Sequence, residues 1–486
     1  MELVEEEKVE DVSVGTGEVL EEMLDNAGFG WFQIRICLLC AMGYFAVGSE
    51  LLTMVMTQSG VMAEFDITSS LSFSWLPFCA NLASFVAAIA IGKVIDKLGR
   101  KWPFILCIAV SAVFALLCSV APSFPVLTVF RSVVGFGLGG IAVIDYVVLV
   151  EVCPSAWRNT ACQIVFVSGC LGVIYVALLG MVPWPSIAPT IDTWRCMMFA
   201  GGVPLVATVA LRAIVSTDTP KFLVTSGKVE EAYRLLETIH RTNSEAKFFR
   251  PKSRAVSQAG VSIIEFRTRV VEEQLSVSQS ERGQLSQVLK QAVTVPLAVV
   301  WIVQSLVYWG LTTFLPVFLT SAGISPTHGL LAMGLAELPG VVIATALSQY
   351  KSRPFALCVC FALSCVGAVT TGVSVSAHWP PAAVVTGACL FYMFLIPIWG
   401  ILFVLTPETY PVRFRGTAVG FHHMCKSVPS LAAPFIAAAI LESGLEGGFM
   451  FIWAAVIAVG IAMSVWLIRL HRTSLTDPMI IKSSTV

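Results

Sequence analysis

The sequence predicts an all-α integral membrane fold, twelve transmembrane helices divided into two related six-helix halves, and three observations predict it. Hydrophobic residues make up 56% of the 486 residues and charged residues only 13%, whereas soluble domains carry about 25% charged residues. Twelve apolar runs are each long enough to cross a hydrocarbon core, which takes roughly 20 helical residues. One short acidic–proline–basic motif occurs twice, at equivalent places in the two halves.

With a mean hydropathy of +0.83, the chain has too few charges to cover a water-exposed surface of its own size. Its apolar side chains must therefore face lipid. The formal net charge of -1 lacks the basic balance of a nucleic-acid binder. The 14 cysteines fall mostly inside apolar runs, among them Cys37, Cys40, Cys79, Cys107 and Cys118, and read as small packing residues. They suggest neither a zinc site nor a redox pair, and no cofactor or metal is expected.

The apolar runs lie near 35–58, 71–93, 103–121, 125–150, 160–182, 194–215, 296–320, 328–349, 354–376, 381–405, 415–441 and 447–468. Lys and Arg mark cytosolic loops. They are Lys93, Lys97, Arg100 and Lys101 after span 2, Lys221 to Arg250 in the central stretch, Lys351 and Arg353 after span 8, and Arg413 and Arg415 after span 10. The opposite loops are nearly bare of them, Arg195 being the exception, so both termini are expected in the cytosol. The first thirty residues are acidic and lack an apolar core with a cleavage site. They read as a disordered cytosolic tail rather than a signal peptide. The expected organisation is a tail over 1–34, a six-helix bundle over 35–215, a cytosolic linker over 216–295, a second bundle over 296–469 and a tail over 470–486. Within the linker, Val229, Ala232, Leu236 and Ile239 recur at helical spacing, and Glu230–Arg234 and Glu237–Arg241 stand in the favoured ion-pair order. A helix against the cytosolic face is expected; a solvated linker helix fits the same pattern.

Glu151-Val-Cys-Pro154-Ser-Ala-Trp-Arg158 follows span 4, and Glu408-Thr-Tyr-Pro411-Val-Arg-Phe-Arg415 follows span 10. A helix-ending Pro and a topogenic Arg account for part of each motif, but not for a Glu at the same spacing in both. Two copies at equivalent places indicate repeats of one unit, the arrangement by which many carriers hold a site between two rocking halves. Gly92-Lys-Val-Ile-Asp96-Lys-Leu-Gly99-Arg100-Lys101 bridges spans 2 and 3, where glycine permits a tight turn. Asp96, Arg100, Glu151 and Arg158 are expected at one level, as a charge latch that water can take apart when that face opens. Gly92, Gly99, Glu408 and Arg415 complete the expected gating set. A topogenic basic cluster would explain Lys97 and Lys101 but leave Asp96 without a reason.

The Gly92–Lys101 stretch resembles the signature loop of the major facilitator superfamily, and Arg131-Ser-Val-Val-Gly135-Phe-Gly137-Leu-Gly139-Gly140 resembles its span-4 motif. Gly28-Phe-Gly-Trp-Phe-Gln33, Thr219-Pro-Lys-Phe-Leu-Val-Thr-Ser-Gly227-Lys, Tyr308-Trp-Gly310, Glu337-Leu-Pro-Gly340 and Thr406-Pro-Glu-Thr-Tyr-Pro411 are similar to one branch of it. That branch holds the synaptic vesicle glycoproteins and their related proteins, akin to organic ion transporters. The resemblance runs from about Leu24 to Arg469. It implies two six-helix bundles around one central cavity, a plasma or vesicle membrane, and a small-molecule solute as cargo. Three departures stand out. Val47 occupies a span-1 position where the branch usually has Asp, though Glu50 is kept. The second-half counterpart of the signature loop reads Gln349-Tyr-Lys351-Ser-Arg353, without its Asp, which predicts weaker latching there. Ser216-Thr-Asp-Thr-Pro-Lys221 replaces a Pro-Glu-Ser-Pro-Arg pattern.

A lone charge at the middle of a membrane helix costs roughly 2.5–3.5 kcal/mol, so such groups are paired or line a wet cavity. Counting at a rise of about 1.5 Å per residue puts Glu337 of span 8 and Lys426 of span 11 near the midplane, where they are expected to pair. The resemblance also implies a basic residue at Lys426. Glu50 of span 1 and Arg131 of span 4 form a second expected pair. Either pair would also serve simply to fix helix packing. Asp145, near the cytosolic end of span 4, is a further candidate for the solute or proton site, or a group reaching interfacial water. His422 and His423 fit proton relays less well than satisfied packing histidines. Tyr308, Trp309 and Trp399 would wall a cation or a ring, or pack. The glycines from Gly135 to Gly140 permit close helix contact, and no strand precedes them as a nucleotide site requires.

Together these residues predict a carrier of a small organic ion working by alternating access, set in a lipid bilayer, with the proton as candidate coupling ion. A sugar or neutral-solute porter, and a vesicle membrane protein that binds without transporting, are the alternatives. No catalytic constellation or ATP-binding motif stands out, and no enzyme is expected.

Overall fold

A computed structural model describes residues 18–99, 101–215, 218–245, 285–410, 412–444 and 446–476. Twelve helices among them are long and apolar enough to cross a membrane. Spans 1 to 6 are Trp31–Met56, Ser70–Ile91, Lys101–Cys118, Phe124–Val152, Ser155–Leu179 and Thr193–Ile214. Spans 7 to 12 are Thr294–Thr320, Pro326–Tyr350, Arg353–Ser376, Pro381–Thr409, Thr417–Glu442 and Gly448–His471. Each expected apolar run falls on a helical span, with ends shifted by a few residues. Ser352 caps the start of span 9, its hydroxyl accepting from the Phe355 N–H at 3.4 Å, with Pro354 in the first turn, where a missing N–H costs nothing.

The described residues form two compact units. One holds short polar elements: helix Glu18–Ala27, the entry to span 1, the 150–158 turn, and helices Pro220–Thr225 and Val229–Glu245. Here the expectation of disorder over the first thirty residues is corrected for residues 18–30; residues 1–17 lie outside the described residues. Leu20, Leu24 and Ala27 form one buried stripe on a helix that packs against Val229–Glu245. The acidic residues around that stripe are the polar face of an amphipathic helix, not a sign of disorder. Ala232, Leu236 and Ile239 are buried in turn. Gly28, at φ +67°, ends the first helix, and Phe29 stacks on Trp157 at 4.8 Å. Asn243 joins the pieces, donating to the Gly28 carbonyl at 3.0 Å and to Gln33 Oε1 at 2.8 Å. Gln33 Oε1 also accepts from the Gly30 N–H at 3.1 Å, capping the start of span 1. On Val229–Glu245 the expected pair Glu230–Arg234 does not close. Lys228 instead meets Glu231 at 3.5 Å, an exposed contact of little weight.

The other unit holds the membrane-spanning bundles. Span 3 packs along span 6 in the first half. In the second, span 9 packs against spans 10 and 12, span 7 against spans 11 and 12, and span 8 against span 10. Spans 1 and 5 meet through glycine: a Cβ at Gly172 would strike the Phe45 carbonyl, so the small residue permits backbone contact. Taking inner and outer ends from the Lys/Arg pattern, the exceptional Arg195 is explained by what it touches. It donates to the Ser119 and Ala121 carbonyls at 2.9 and 3.0 Å, which close the outer end of span 3, and pairs with Glu64. Burial pushes the Glu64 carboxyl up, but hydrogen bonds from Arg195 and Trp194 outweigh it and hold the group below the usual carboxylate range. Cys37-Leu-Leu-Cys40 stands at C-x-x-C spacing, yet the 14 cysteines form no disulfide.

Candidate functional site

A cavity of about 190 Å³ lies between the two halves. Spans 1, 2, 4 and 5 wall it from one side and spans 7, 8, 10 and 11 from the other. Seven of the eight expected site residues line it: Glu50, Arg131, Tyr308, Trp309, Glu337, Trp399 and Lys426. The structure adds Tyr44, Asn81, Cys170 and Phe403. Nothing in their local pattern marks these four apart from ordinary packing residues.

Prolines place much of this lining, because each removes an N–H and frees the carbonyl four residues before it. Span 10 breaks at Ile396 into helices Pro381–Leu395 and Pro397–Thr409. Pro397 cannot donate to the Met393 carbonyl, and Gly340 of span 8 packs on that oxygen so closely that any Cβ would collide with it. The Trp399 N–H turns to Ile396 at 3.2 Å, and the Gln304 side chain takes the Leu395 carbonyl at 2.9 Å. This broken turn sets the ring of Trp399 toward Tyr308, edge-on at 5.8 Å. Span 11 repeats the device. Pro434 leaves the Ser430 carbonyl open, and Asn81 of span 2 donates to it at 3.2 Å. Ser74 donates to the Pro434 carbonyl at 3.2 Å. The halves therefore meet near the outer end through freed backbone groups and through Trp75 and Phe78 against Phe435. On the inner side Tyr146 stacks on Phe403 at 5.1 Å.

The charges are arranged unevenly. Arg131 Nη1 donates to Glu50 Oε2 at 2.5 Å and its Nη2 to the Glu50 carbonyl at 2.9 Å, so the guanidinium fork grips one residue twice. Both side chains are buried, at 4% and 1% exposure. Glu50 Oε1 and Trp309 Nε1 are buried without a partner. Lys426 lies over Trp399 and Phe403, 5.4 and 5.7 Å from the ring centroids. The expected Glu337–Lys426 ion pair is not formed: among the described residues no ion-pair contact joins them. Lys426 is satisfied by ring faces, and Glu337 turns instead toward Cys170 and Tyr308.

Asp145 is the eighth expected site residue and does not line the cavity. It is fully buried within the first half and pairs with Arg212 of span 6, whose guanidinium lies 4.0 Å over the Phe104 ring and 3.3 Å from Cys40 Sγ. A carboxylate that deep needs a cation, and Arg212 supplies it. Both residues lie in the inner halves of their spans, and a search there for a cation to meet Asp145 would have found the pair. Cys40 belongs to this network rather than to plain packing.

For the expected latch, the side chains of Asp96 and Arg415, all of Arg100 and the surroundings of Gly92 lie outside the described residues. Gly99 ends the helix that continues span 2 to Leu98, at φ +87°, a backbone that favours glycine. Glu151 accepts from Thr219 Oγ1 at 2.6 Å. Arg158 meets Glu21 at 3.0 Å and the Cys153 carbonyl at 3.1 Å. In the second half Arg353 pairs with Glu408, so the loop without its Asp still supplies a cation to the repeated Glu.

A family model, Major Facilitator Superfamily, matches residues 37–434. The chain belongs to this superfamily. Among its relatives, the niacin transporter NiaP of Acinetobacter baylyi is 24% identical over 90% of this chain and 95% of its own length. A synaptic vesicle 2-related protein of Xenopus laevis is 22% identical over 88% and 76%. The organic cation/carnitine transporter 7 of Arabidopsis thaliana is 22% identical over 94% and 96%. These match the branch that the motifs resemble. Among solved structures, the proton:xylose symporter XylE bound to 6-bromo-6-deoxy-D-glucose superposes with a TM-score of 0.71 at 15% identity, over 90% of this chain and 95% of that one. The major facilitator fold is thus shown, in a multi-pass membrane protein of a transporter family.

Proposed function

We propose that this superfamily member carries a small organic ion across a plasma or vesicle membrane by alternating access, with both termini cytosolic. One observation carries the reading. The cavity between the halves presents an ammonium, Lys426, and a carboxylate, Glu337, that are not paired with each other. Charges inside a membrane are paired or line a wet cavity, and a charged solute entering this one can meet either of them. Tyr308, Trp309 and Trp399 offer ring faces beside them. The relatives named for niacin and for organic cations and carnitine support the same class of cargo. Opening and closing would use Gly92, Asp96, Gly99, Arg100, Glu151 and Arg158 in one half, and Glu408 with Arg353 and Arg415 in the other.

The test is uptake into proteoliposomes holding the purified protein, with niacin, carnitine, tetraethylammonium and glucose as probes. Accumulation of an ion that is lost in Lys426→Ala supports the reading. Glucose flux indifferent to Lys426→Ala and Glu337→Gln would make the chain a neutral-solute porter. No flux of any probe would leave a membrane protein that binds without carrying.

A further inference from the structure

Both charged members of the first-half motif are held by segments that lie outside the spans. Glu151 accepts from Thr219 Oγ1 of the linker at 2.6 Å, and Arg158 meets Glu21 of the amino-terminal helix Glu18–Ala27 at 3.0 Å. Between them, Asp25 takes Ser155 twice. Its Oδ1 accepts from the Ser155 N–H at 2.6 Å and its Oδ2 from the Ser155 hydroxyl at 2.8 Å. Ser155 opens span 5, and Pro154 before it offers no side-chain cap. The first N–H groups of a helix have no partner within it, and a carboxylate there also meets the positive end of the helix dipole. The amino-terminal helix therefore brings span 5 the cap that its own sequence does not supply. Phe29, just beyond that helix, stacks on Trp157 of the same turn at 4.8 Å.

The helix divides its faces between two tasks. Leu20, Leu24 and Ala27 follow helical spacing, are buried and dock it on Val229–Glu245. Glu21 and Asp25, four residues apart, share a second face and reach the turn. Apolar burial holds the first face. The second is held by groups that water can replace: Arg158 and Glu21 are 23% and 49% exposed, and Asp25 and Ser155 are exposed. Exposed pairs of this kind are weak, so the helix can leave the turn while staying on the linker helix. In the second half the repeated Glu408 takes its cation from the bundle itself, through Arg353.

We propose that the amino-terminal helix is a releasable strap on the turn between spans 4 and 5, and that Glu21 and Asp25 brake the transport cycle by holding that turn in the conformation seen here. This rests on the transport reading, in which Glu151 and Arg158 take part in opening and closing, and adds a control to it. With the strap on, Arg158 and the start of span 5 are tied to a helix anchored elsewhere. With it off, water takes over both contacts and the turn is free to follow its spans.

Two measurements test the strap on the full chain. Amide hydrogen exchange of the purified protein in nanodiscs needs no solute. In Glu21→Gln with Asp25→Asn, which keeps the apolar stripe, exchange over the 150–158 turn should rise several-fold while the Val229–Glu245 helix exchanges as in wild type. Unchanged exchange in the turn overturns the strap. The second measurement is proteoliposome uptake of whichever probe accumulates among niacin, carnitine, tetraethylammonium and glucose. The same double variant should carry it several-fold faster. Faster exchange with equal or slower uptake overturns the brake and leaves a static brace. The converse variant, Asp25→Cys with Ser155→Cys, is joined by a short reducible bis-methanethiosulfonate, with reagent-treated wild type as control. Joining should stop uptake and reduction should restore it; uptake indifferent to the link overturns the brake. If wild type carries no probe, the transport reading falls and the brake with it, and amide exchange still decides whether the strap holds the turn.

Discussion

Arg353, the first residue of span 9, pairs with Glu408 near the end of span 10. The loop before span 9 lacks the acidic residue of the first-half signature, but the repeated Glu needs a cation, and Arg353 at the start of span 9 supplies it. Both side chains are partly open, at 26% and 48% exposure, so the pair is suited to breaking and remaking rather than to holding the fold. Glu408→Arg is expected to lower turnover while changing stability by about 1 kcal/mol or less. Adding Arg353→Glu should restore turnover. Uptake rate and melting temperature of the three variants check this.

Arg212 anchors the first half and does not serve the cavity. Arg212→Lys keeps the charge but loses the planar stack over Phe104, at an expected cost of about 1–2 kcal/mol. Its apparent solute affinity should stay at the wild-type value. A raised KM with unchanged melting would place Asp145 and Arg212 back in the solute path.

Glu50 and Arg131 are buried together, so removing one strands the other. Arg131→Ala is expected to cost about 3–5 kcal/mol, and Glu50→Leu with Arg131→Met less than that. A thermal double-mutant cycle showing additive costs would mean that the two charges do not support each other.

Gly340 admits the Met393 carbonyl that Pro397 leaves open. A methyl group there meets backbone, which cannot swing aside as a side chain can. Gly340→Ala should destabilise the second half by about 1–3 kcal/mol, read as a smaller monodisperse peak in size-exclusion chromatography. Wild-type yield would show that spans 8 and 10 do not pack this closely.

Glu64 is held below the usual carboxylate range by Arg195 and Trp194 despite the burial that pushes it up. A lowered folded value means that the contribution is whole above the ordinary value of about 4.5 and is lost as pH falls through the folded value. Glu64→Gln should therefore melt lower than wild type at neutral pH, and the gap should close in acid. A gap that widens in acid would contradict the brace.

How much was legible differs from element to element. The twelve spans could be read because a bilayer demands that every crossing backbone satisfy its own hydrogen bonds, and a run of apolar residues meets that demand wherever it sits. The halves could be read from the repeated Glu, Pro and Arg. Glu50–Arg131 could be read because two opposite charges at similar depth leave few other solutions. Composition misled at Leu20 and Leu24, whose stripe was hidden among acidic residues.

By itself the sequence determined which segments enter the membrane, that they form two repeats, and which charges must be accommodated inside, since hydrophobic transfer and charge burial act residue by residue. Only the tertiary structure decided which charges share a wall. It set Lys426 on aromatic faces, Glu337 beside Cys170 and Tyr308, and Asp145 against Arg212. It also turned the carbonyls freed by Pro397 and Pro434 toward Gly340 and Asn81. Those choices depend on helix rotation and on breaks within spans, which no local spacing encodes.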